Sequence, residues 1–418
     1  MNLLILSIGS NPMPNYITAK YLLHENRKEL ECKNLPKPDM VMFVYSSRTE
    51  KFKEKIAAQL DLNQDQSLGV NLENKFREFE EIKQKVLEKL KELKPYSIHL
   101  NYTGGTKPMA VGISSAVEQF EECKNKIYSD LSPDKFKLIL RKGNVFPINR
   151  DIRDIVKISI KDLYELHDLK TPTLKKENSN WYSEKFINYL IDKKNEFKKG
   201  DEDFYYLWRK WPGKTKDKDN RKALKISSGG QNNELEGYKQ SLELSVKDFI
   251  KDQTLDSQQL KHLKKFICGV WLEEYLFAVL QEIKEDCGLT DIAWNVETKI
   301  KGRRFELDII AMKGCQSFVF TCTSDHTSSL CKGKAFEGVY RSEQIGGEQS
   351  KTILVCMGDD FDKKGKPTDD NDKKVIESIK KDMSQFDAVS NFYILGSEDI
   401  KNSSTLKTKL KQIINGDI

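Results

Sequence analysis

No stretch of this sequence supplies the roughly 18 consecutive apolar residues that a membrane-spanning helix needs. Its start, Met1-Asn2-Leu3-Leu4-Ile5-Leu6-Ser7-Ile8-Gly9, lacks the basic residues, long apolar run and small-residue cleavage site of a secretory signal. The expectation is a cytoplasmic protein with no membrane partner, whose apolar start is a buried strand. Eight cysteines (Cys32, Cys123, Cys268, Cys287, Cys315, Cys322, Cys331 and Cys356) form no Cys-x-x-Cys pair and have no histidine at ligand spacing. That argues against structural zinc and against a disulfide framework, and predicts reduced, mostly buried thiols. Internal repeats are absent. Neither sign of charge is in large excess: 70 Lys and Arg against 64 Asp and Glu leave +6, so a polyanionic partner is permitted rather than demanded.

What is present is material for more than one core. A chain of 418 residues, 32% charged and 10% aromatic, predicts two domains and a connecting module. Over residues 1–149, short β-branched runs alternate with helical patterns, the rhythm of a parallel sheet covered by helices. Strands are expected at Leu3 to Ile8, Met40 to Tyr45, Ser97 to Asn101 and Lys135 to Arg141. Between Leu72 and Leu93, apolar residues recur at three-to-four spacing (Phe76, Phe79, Ile82, Val86, Leu90, Leu93), predicting an amphipathic crossover helix closed by Pro95. Residues 150–257 read as a linker or small helical module. Its stretch Arg209 to Lys225 carries eight basic residues against two acidic ones, more often a solvated loop than a nucleic-acid contact, with Trp208 and Trp211 nearby as stacking surfaces. Residues 258–418 form a second α/β unit: a helix through Phe266 to Leu280, strands at Ile292 to Lys299, Arg304 to Met312 and Ser317 to Cys322, a helix from Lys334, strands at Thr352 to Met357 and Phe392 to Leu395, and an exposed charged loop over Asp359 to Lys374.

Asn101-Tyr102-Thr103-Gly104-Gly105-Thr106-Lys107-Pro108-Met109 follows a strand and opens a helix. Glycines let the backbone approach a ligand, Pro108 suits the first helical turn, and free amides at the helix start attract anionic oxygens. The Walker spacing is missing, which disfavours ATP hydrolysis. An ordinary glycine-rich turn would look the same, but two further loops follow strands: Ser10-Asn11-Pro12 after the first and Ser46-Ser47 after the second. In a doubly wound sheet these loops gather at the carboxyl edge, where ligands bind.

Ser10-Asn11-Pro12 together with Gly104-Gly105-Thr106-Lys107 resembles the sensor domain of CRISPR-associated Rossmann-fold (CARF) proteins. The resemblance implies a homodimer binding a cyclic oligoadenylate across its two-fold axis, with cyclic tetra-adenylate the natural ligand of paired sites. Carried over, Ser10, Asn11, Pro12, Ser46, Ser47, Thr103, Gly104, Gly105, Thr106, Lys107 and Met109 are the ligand-binding set.

In the second unit, Glu273 and Glu274 lie on a helix that is apolar on one side, while Glu306 and Asp308 alternate onto one face of a strand. Paired acids cost repulsion unless a cation offsets it, so metal binding is plausible chemistry here. These segments, with Ile345-Gly346-Gly347, resemble the PD-(D/E)xK nuclease half of CARF-fused nucleases of type III CRISPR defence. The resemblance implies a Rossmann-like CARF sensor domain joined by a small linker module to a restriction-endonuclease-like α/β domain. Its activity would be cyclic-oligoadenylate-activated cleavage of single-stranded DNA or RNA with Mn2+ or Mg2+, Asp308 and Glu273 holding the metal and Glu306 and Lys334 assisting. The family's acid-x-lysine pair is missing. Thr321 and Thr323 stand in its place, and hydroxyls replace neither charge; Lys332, Lys334 and Glu337 are the nearby charges. Ser324-Asp325-His326 is discounted as a hydrolase triad, because adjacent residues seldom meet in that geometry. Two rival functions stay open: a degenerate nuclease-like domain with a regulatory role, and a ring nuclease that degrades its own ligand.

Overall fold

The computed structural model describes residues 1–24, 35–132, 137–142, 144–147, 151–179, 182–197, 248–249, 259, 262–263, 265–300, 302–324, 328–357, 371–385 and 391–418. The basic stretch Arg209 to Lys225, both tryptophans within and beside it, and the pair Asp325-His326 lie outside them.

The first sheet contains β1 (Asn2–Ser7), β2 (Met40–Tyr45), β3 (Ser67–Asn71), β4 (Ser97–Asn101), β5 (Asn125–Ser132), β6 (Lys137–Lys142) and β7 (Asn144–Pro147). Helices α1 (Met13–Leu22), α2 (Glu50–Gln59), α3 (Phe79–Leu93) and α4 (Lys107–Gln119) connect its parallel part. The strand order is β3-β2-β1-β4-β5-β6-β7. β1 pairs in parallel with both β2 (Leu4 opposite Val41) and β4 (Leu4 opposite His99), whereas β6 pairs antiparallel with β5 and β7. Continuous burial of β1, β2 and β4 is what a strand covered on both faces requires.

After this sheet come α5 (Ile160–Leu166), β8 (Thr173–Lys175), α6 (Glu184–Phe197), α7 (Trp271–Glu282), β9 (Asp291–Ile300), β10 (Arg303–Lys313), β11 (Gln316–Thr323), α8 (Ser328–Gly346), β12 (Lys351–Cys356), α9 (Asn371–Met383), β13 (Phe392–Leu395) and α10 (Ser403–Asn415). The second sheet runs β13-β12-β11-β10-β9-β8. The fold is therefore mixed α/β, a Rossmann-like parallel sheet plus a second sheet, in agreement with the expected class.

Compactness divides the chain into one unit of Met1–Leu174, Glu285–Val319 and Tyr340–Lys351, and another of Lys175–Lys284, Phe320–Val339 and Thr352–Ile418. In the first unit, one core passes from Leu4, Leu6 and Phe43 through Ile152, Leu163 and Tyr164 to Val296, Phe305, Leu307 and Ile310. The opposite face of the first sheet packs Leu3, Ile5 and Val44 against Ile82, Val86 and Leu90 of α3 and Ile113 and Val117 of α4. In the second unit, Phe186 of α6 stacks on Phe249 and Phe266 with centroids 4.8 and 5.5 Å away, and α8 contributes Cys331 and Ala335 to a core with Leu354, Val375 and Ile379.

Differences from the sequence reading have local causes. α3 begins at Phe79, not Leu72, because Leu72 to Glu78 forms turns closed by Lys75 N to Leu72 O and Glu78 N to Lys75 O. The charged stretch ending at Lys374 is helical from Asn371 onwards; residues 358–370 lie outside the described set. Cys123, Cys287, Cys315, Cys322, Cys331 and Cys356 are buried free thiols, and burial pushes the Cys315 thiol up to about 12. Among the described residues no helix is long and apolar enough to cross a membrane.

His167, just after α5, hydrogen-bonds the Ile345 backbone, and burial lowers its pKa to about 4. An unfolded chain protonates this imidazole near 6.5, so acid favours the unfolded state. The stability His167 confers is whole above about pH 6.5 and drains away as pH falls through 4. Thermal unfolding followed between pH 7 and pH 4 should show a midpoint that drops, and His167→Gln should flatten that drop.

Candidate functional site

The strand order of the first sheet reverses at β1 and β4, so the loops leaving these neighbours part to either side of a crevice, the usual ligand position in such sheets. Here the two loops meet backbone to backbone. A Cβ built on Gly9 would lie 2.8 Å from Gly105 N. One on Gly104 would overlap Ser7 O and Asn15 Nδ2, and one on Gly105, whose φ is +79°, would overlap Ser7 Oγ. Glycine is thus required at Gly105 both by conformation and by space.

Side chains around this contact divide into those that build the loops and those that face outward. Asn11 Oδ1 accepts from Met13 N at 3.0 Å, capping α1 from within the loop. Asn15 Nδ2 donates to Ser7 O at 2.9 Å and holds the exit of β1. Thr106 caps α4: its Oγ1 accepts from Met109 N at 3.4 Å and donates to Phe76 O at 3.1 Å. Thr103 Oγ1 donates to Asp130 Oδ1 and accepts from Leu131 N. Ser46 is buried and its hydroxyl pairs with Thr49 Oγ1 at 3.2 Å. Pro12 is buried, and Met109, 2% exposed, is part of the core under the sheet. Ser10, Ser47 and Lys107 are exposed. Of the sequence-derived ligand set, then, Ser10, Ser47 and Lys107 offer free-standing polar side chains, the glycines offer backbone, and Thr103, Thr106, Ser46 and Met109 chiefly shape the loops.

Beneath the loops runs a buried polar column that the sequence reading missed. Asn101 Nδ2 donates to Thr18 Oγ1 at 3.3 Å and to Ser129 Oγ at 3.1 Å, and His99 Nε2 lies 2.8 Å from the same Ser129 hydroxyl. Ser7 Oγ, Asn15 Oδ1 and Asn101 Oδ1 are buried without a protein hydrogen-bond partner, a costly condition in a parallel sheet. The available signal was Ser97-Ile98-His99-Leu100-Asn101, a central strand with polar residues at alternate positions.

The candidate effector residues lie on several elements. On β10, in the first unit, Asp308 is 9% exposed. Glu306 faces Glu297 across the β9–β10 ladder, and Arg304 Nη2 sits between them, 2.6 Å from Glu297 Oε1 and 3.2 Å from Glu306 Oε2. Glu306 is therefore occupied in offsetting a like-charge pair. In the second unit, Glu274 rather than Glu273 is the buried glutamate of α7: its Oε2 accepts from Ser179 N at 2.7 Å, and burial holds its pKa above the ordinary carboxylate value. Thr321 on β11 is buried beneath α8, where a Cβ on Gly338 would come within 2.8 Å of its methyl. Lys332 is 2.7 Å from Asp382, and Lys334 is half-buried on α8. No group of three or more His, Cys, Asp or Glu side chains suited to a metal ion occurs among the described residues. Thr321 and Thr323 supply hydroxyls where a divalent cation prefers charged oxygens, and Glu306 is paired with Arg304.

Gly302 has the same φ of +79° as Gly105, but a Cβ there would meet nothing within 4 Å. Gly302→Ala should cost only the left-handed backbone penalty of about 1 to 2 kcal/mol. Gly105→Ala adds overlap with Ser7 and should cost clearly more in chemical denaturation; equal losses would show that the loops yield.

Residues 28–162 match the family model described as the Card1 CARF domain. No curated protein matches the sequence. Among solved structures the chain is similar to Can2 from Sulfobacillus thermosulfidooxidans in complex with cyclic tetra-adenylate, at 14% identity over 99% of both chains with a TM-score of 0.61. It is also similar to protein VC1899 from Vibrio cholerae, at 13% identity over 99% of this chain and 98% of that one with a TM-score of 0.57. At such identities the likeness is one of fold, and it spans both sheets. The match to the CARF domain thus falls on β2 to β7 of the first sheet, and a second sheet follows it.

Proposed function

We propose that this protein is a cyclic oligoadenylate sensor of type III CRISPR defence, binding cyclic tetra-adenylate at the loops after β1 and β4 and controlling the second sheet as its effector. The observation that carries the reading is the glycine contact between those loops, which brings the start of α4, with its exposed Lys107, against the exit of β1. Can2, similar over its whole length, is described in complex with cyclic tetra-adenylate. A ring of four adenylates has two-fold symmetry, so two copies of the chain offer it paired identical loops. The protein acts in this reading as a homodimer in the cytoplasm.

Lys107→Ala removes a charge-assisted contact from each half-site and should weaken binding of cyclic tetra-adenylate at least about tenfold. Titration calorimetry reads both this loss and the stoichiometry, expected at one ring per two chains. Unchanged affinity would take Lys107 out of the site.

For the effector, the reading is ligand-activated cleavage of single-stranded DNA or RNA, and Asp308, Glu273 and Lys334 are the residues that the nuclease resemblance assigns to it. The hydroxyls of Thr321 and Thr323 favour a second reading, in which the nuclease-like sheet is degenerate and regulates a partner. Incubating labelled single strands with Mn2+ or Mg2+, with and without cyclic tetra-adenylate, decides between them. Cleavage that Asp308→Ala abolishes and Lys334→Ala slows supports the nuclease. Wild-type protein that cuts nothing supports the regulatory role, and ligand consumed in the same tubes identifies a ring nuclease.

A further inference from the structure

The first unit carries a continuous set of contacts from the loop after β1 to the strand that bears Asp308. It begins at Gly347, just beyond α8. Gly347 has φ +67°, and a Cβ on it would overlap Asn11 Nδ2, the same side chain whose Oδ1 caps α1. Next to it, a Cβ on Gly346 would overlap Ser317 Oγ. Ser350 Oγ lies 2.7 Å from Ser317 Oγ and 2.5 Å from Ser342 Oγ, so three buried hydroxyls clamp the end of α8 to β11 and to the start of β12. The Ile345 backbone is hydrogen-bonded by the half-buried His167. One residue before Ser342, Arg341 Nη1 donates to Glu306 O, and the guanidinium lies over the Phe305 ring at 5.3 Å. Phe305 meets Tyr164 edge-on at 6.4 Å.

We propose that Arg341 is a positioning residue that couples the loop holding Asn11 to β10, through the Asn11–Gly347 contact and the hydroxyl clamp at the end of α8. A side chain at Gly347 has no room, and the Ser342-Ser350-Ser317 clamp is fully buried, so a displacement of Asn11 is passed to the helix end rather than absorbed. Arg341 transmits it to the backbone two residues from Asp308 through a charge-assisted hydrogen bond and a ring contact. The assignment of a ligand at the Asn11 loop rests on the function proposed above; the contacts themselves do not.

Hydrogen exchange on the full-length chain, with and without cyclic tetra-adenylate, tests both levels separately. In the wild type, ligand should slow exchange over residues 8–15 and 102–109 and alter it over 303–312. Arg341→Gln should keep the first response and lose the second, while Arg341→Lys, which retains a donor and a charge, should restore it. A response at 303–312 that survives Arg341→Gln overturns the coupling and leaves the ligand reading standing. No response at the loops in the wild type overturns the ligand reading. The coupling is then judged without ligand: Gly347→Ala should speed exchange over both 8–15 and 303–312 at least about threefold, and a change confined to one segment overturns it. Should Gly347→Ala fail to fold, Asn11→Ala replaces it in the ligand-free comparison, with the same two segments read.

Discussion

The contact of two glycine-bearing loops at the carboxyl edge of the first sheet constrains everything around it. Gly9 meets Gly105 backbone to backbone, Gly104 lies against Ser7 O and Asn15 Nδ2, and Gly105 covers Ser7 Oγ. Such closeness aligns the start of α4 with the exit of β1. It also explains why so many polar side chains nearby are spent on backbone: Asn11 and Thr106 cap helices, Asn15 holds Ser7 O, and Thr103 joins the loop after β4 to β5. Once those groups are used, the exposed polar side chains of the loops are Ser10, Ser47 and Lys107.

Polar groups inside the first unit are arranged in the same economy. His99, Asn101, Ser129 and Thr18 hydrogen-bond one another below the loops, with Asn101 Oδ1 left without a protein partner, and Ser317, Ser342 and Ser350 hydrogen-bond one another at the end of α8. Buried networks of this kind hold a unique geometry because each broken link leaves a desolvated group behind. The first lies under the loops and the second beside Gly347, which touches Asn11. Both networks therefore stiffen the surroundings of the loops after β1 and β4 and the end of α8.

The charged residues of β10 show how neighbours change a role. Glu306 and Asp308 share a strand face in the sequence pattern, yet Arg304 bridges Glu306 to Glu297 on β9. Likewise, Glu273 and Glu274 are adjacent and chemically alike, but only Glu274 is buried and bound to Ser179 N. Adjacent positions on a helix point in directions about 100° apart, and which one meets the protein interior depends on the packing partner.

Period and turn chemistry made much of the fold legible. β2, β4 and β13 lie where their apolar runs predict, β1 is displaced by one residue, and the strand–Gly-Gly-Thr-Lys–helix sequence marks the loop at the sheet edge. The strands β3 (Ser-Leu-Gly-Val-Asn) and β5 (Asn-Lys-Ile-Tyr-Ser-Asp-Leu-Ser) escaped notice because they carry too many polar residues for a buried run; parallel pairing with β2 and β4 holds them in place. The sequence by itself determined the alternation of strands and helices, the glycines a close approach demands, and the hydroxyls of Thr321 and Thr323 on β11, since each is a property of local residues. Tertiary structure alone decided that Met109 belongs to the core, that Glu306 is paired with Arg304, and that Gly347 rests on Asn11. These depend on which segments distant in the chain are brought together, and no local pattern records that.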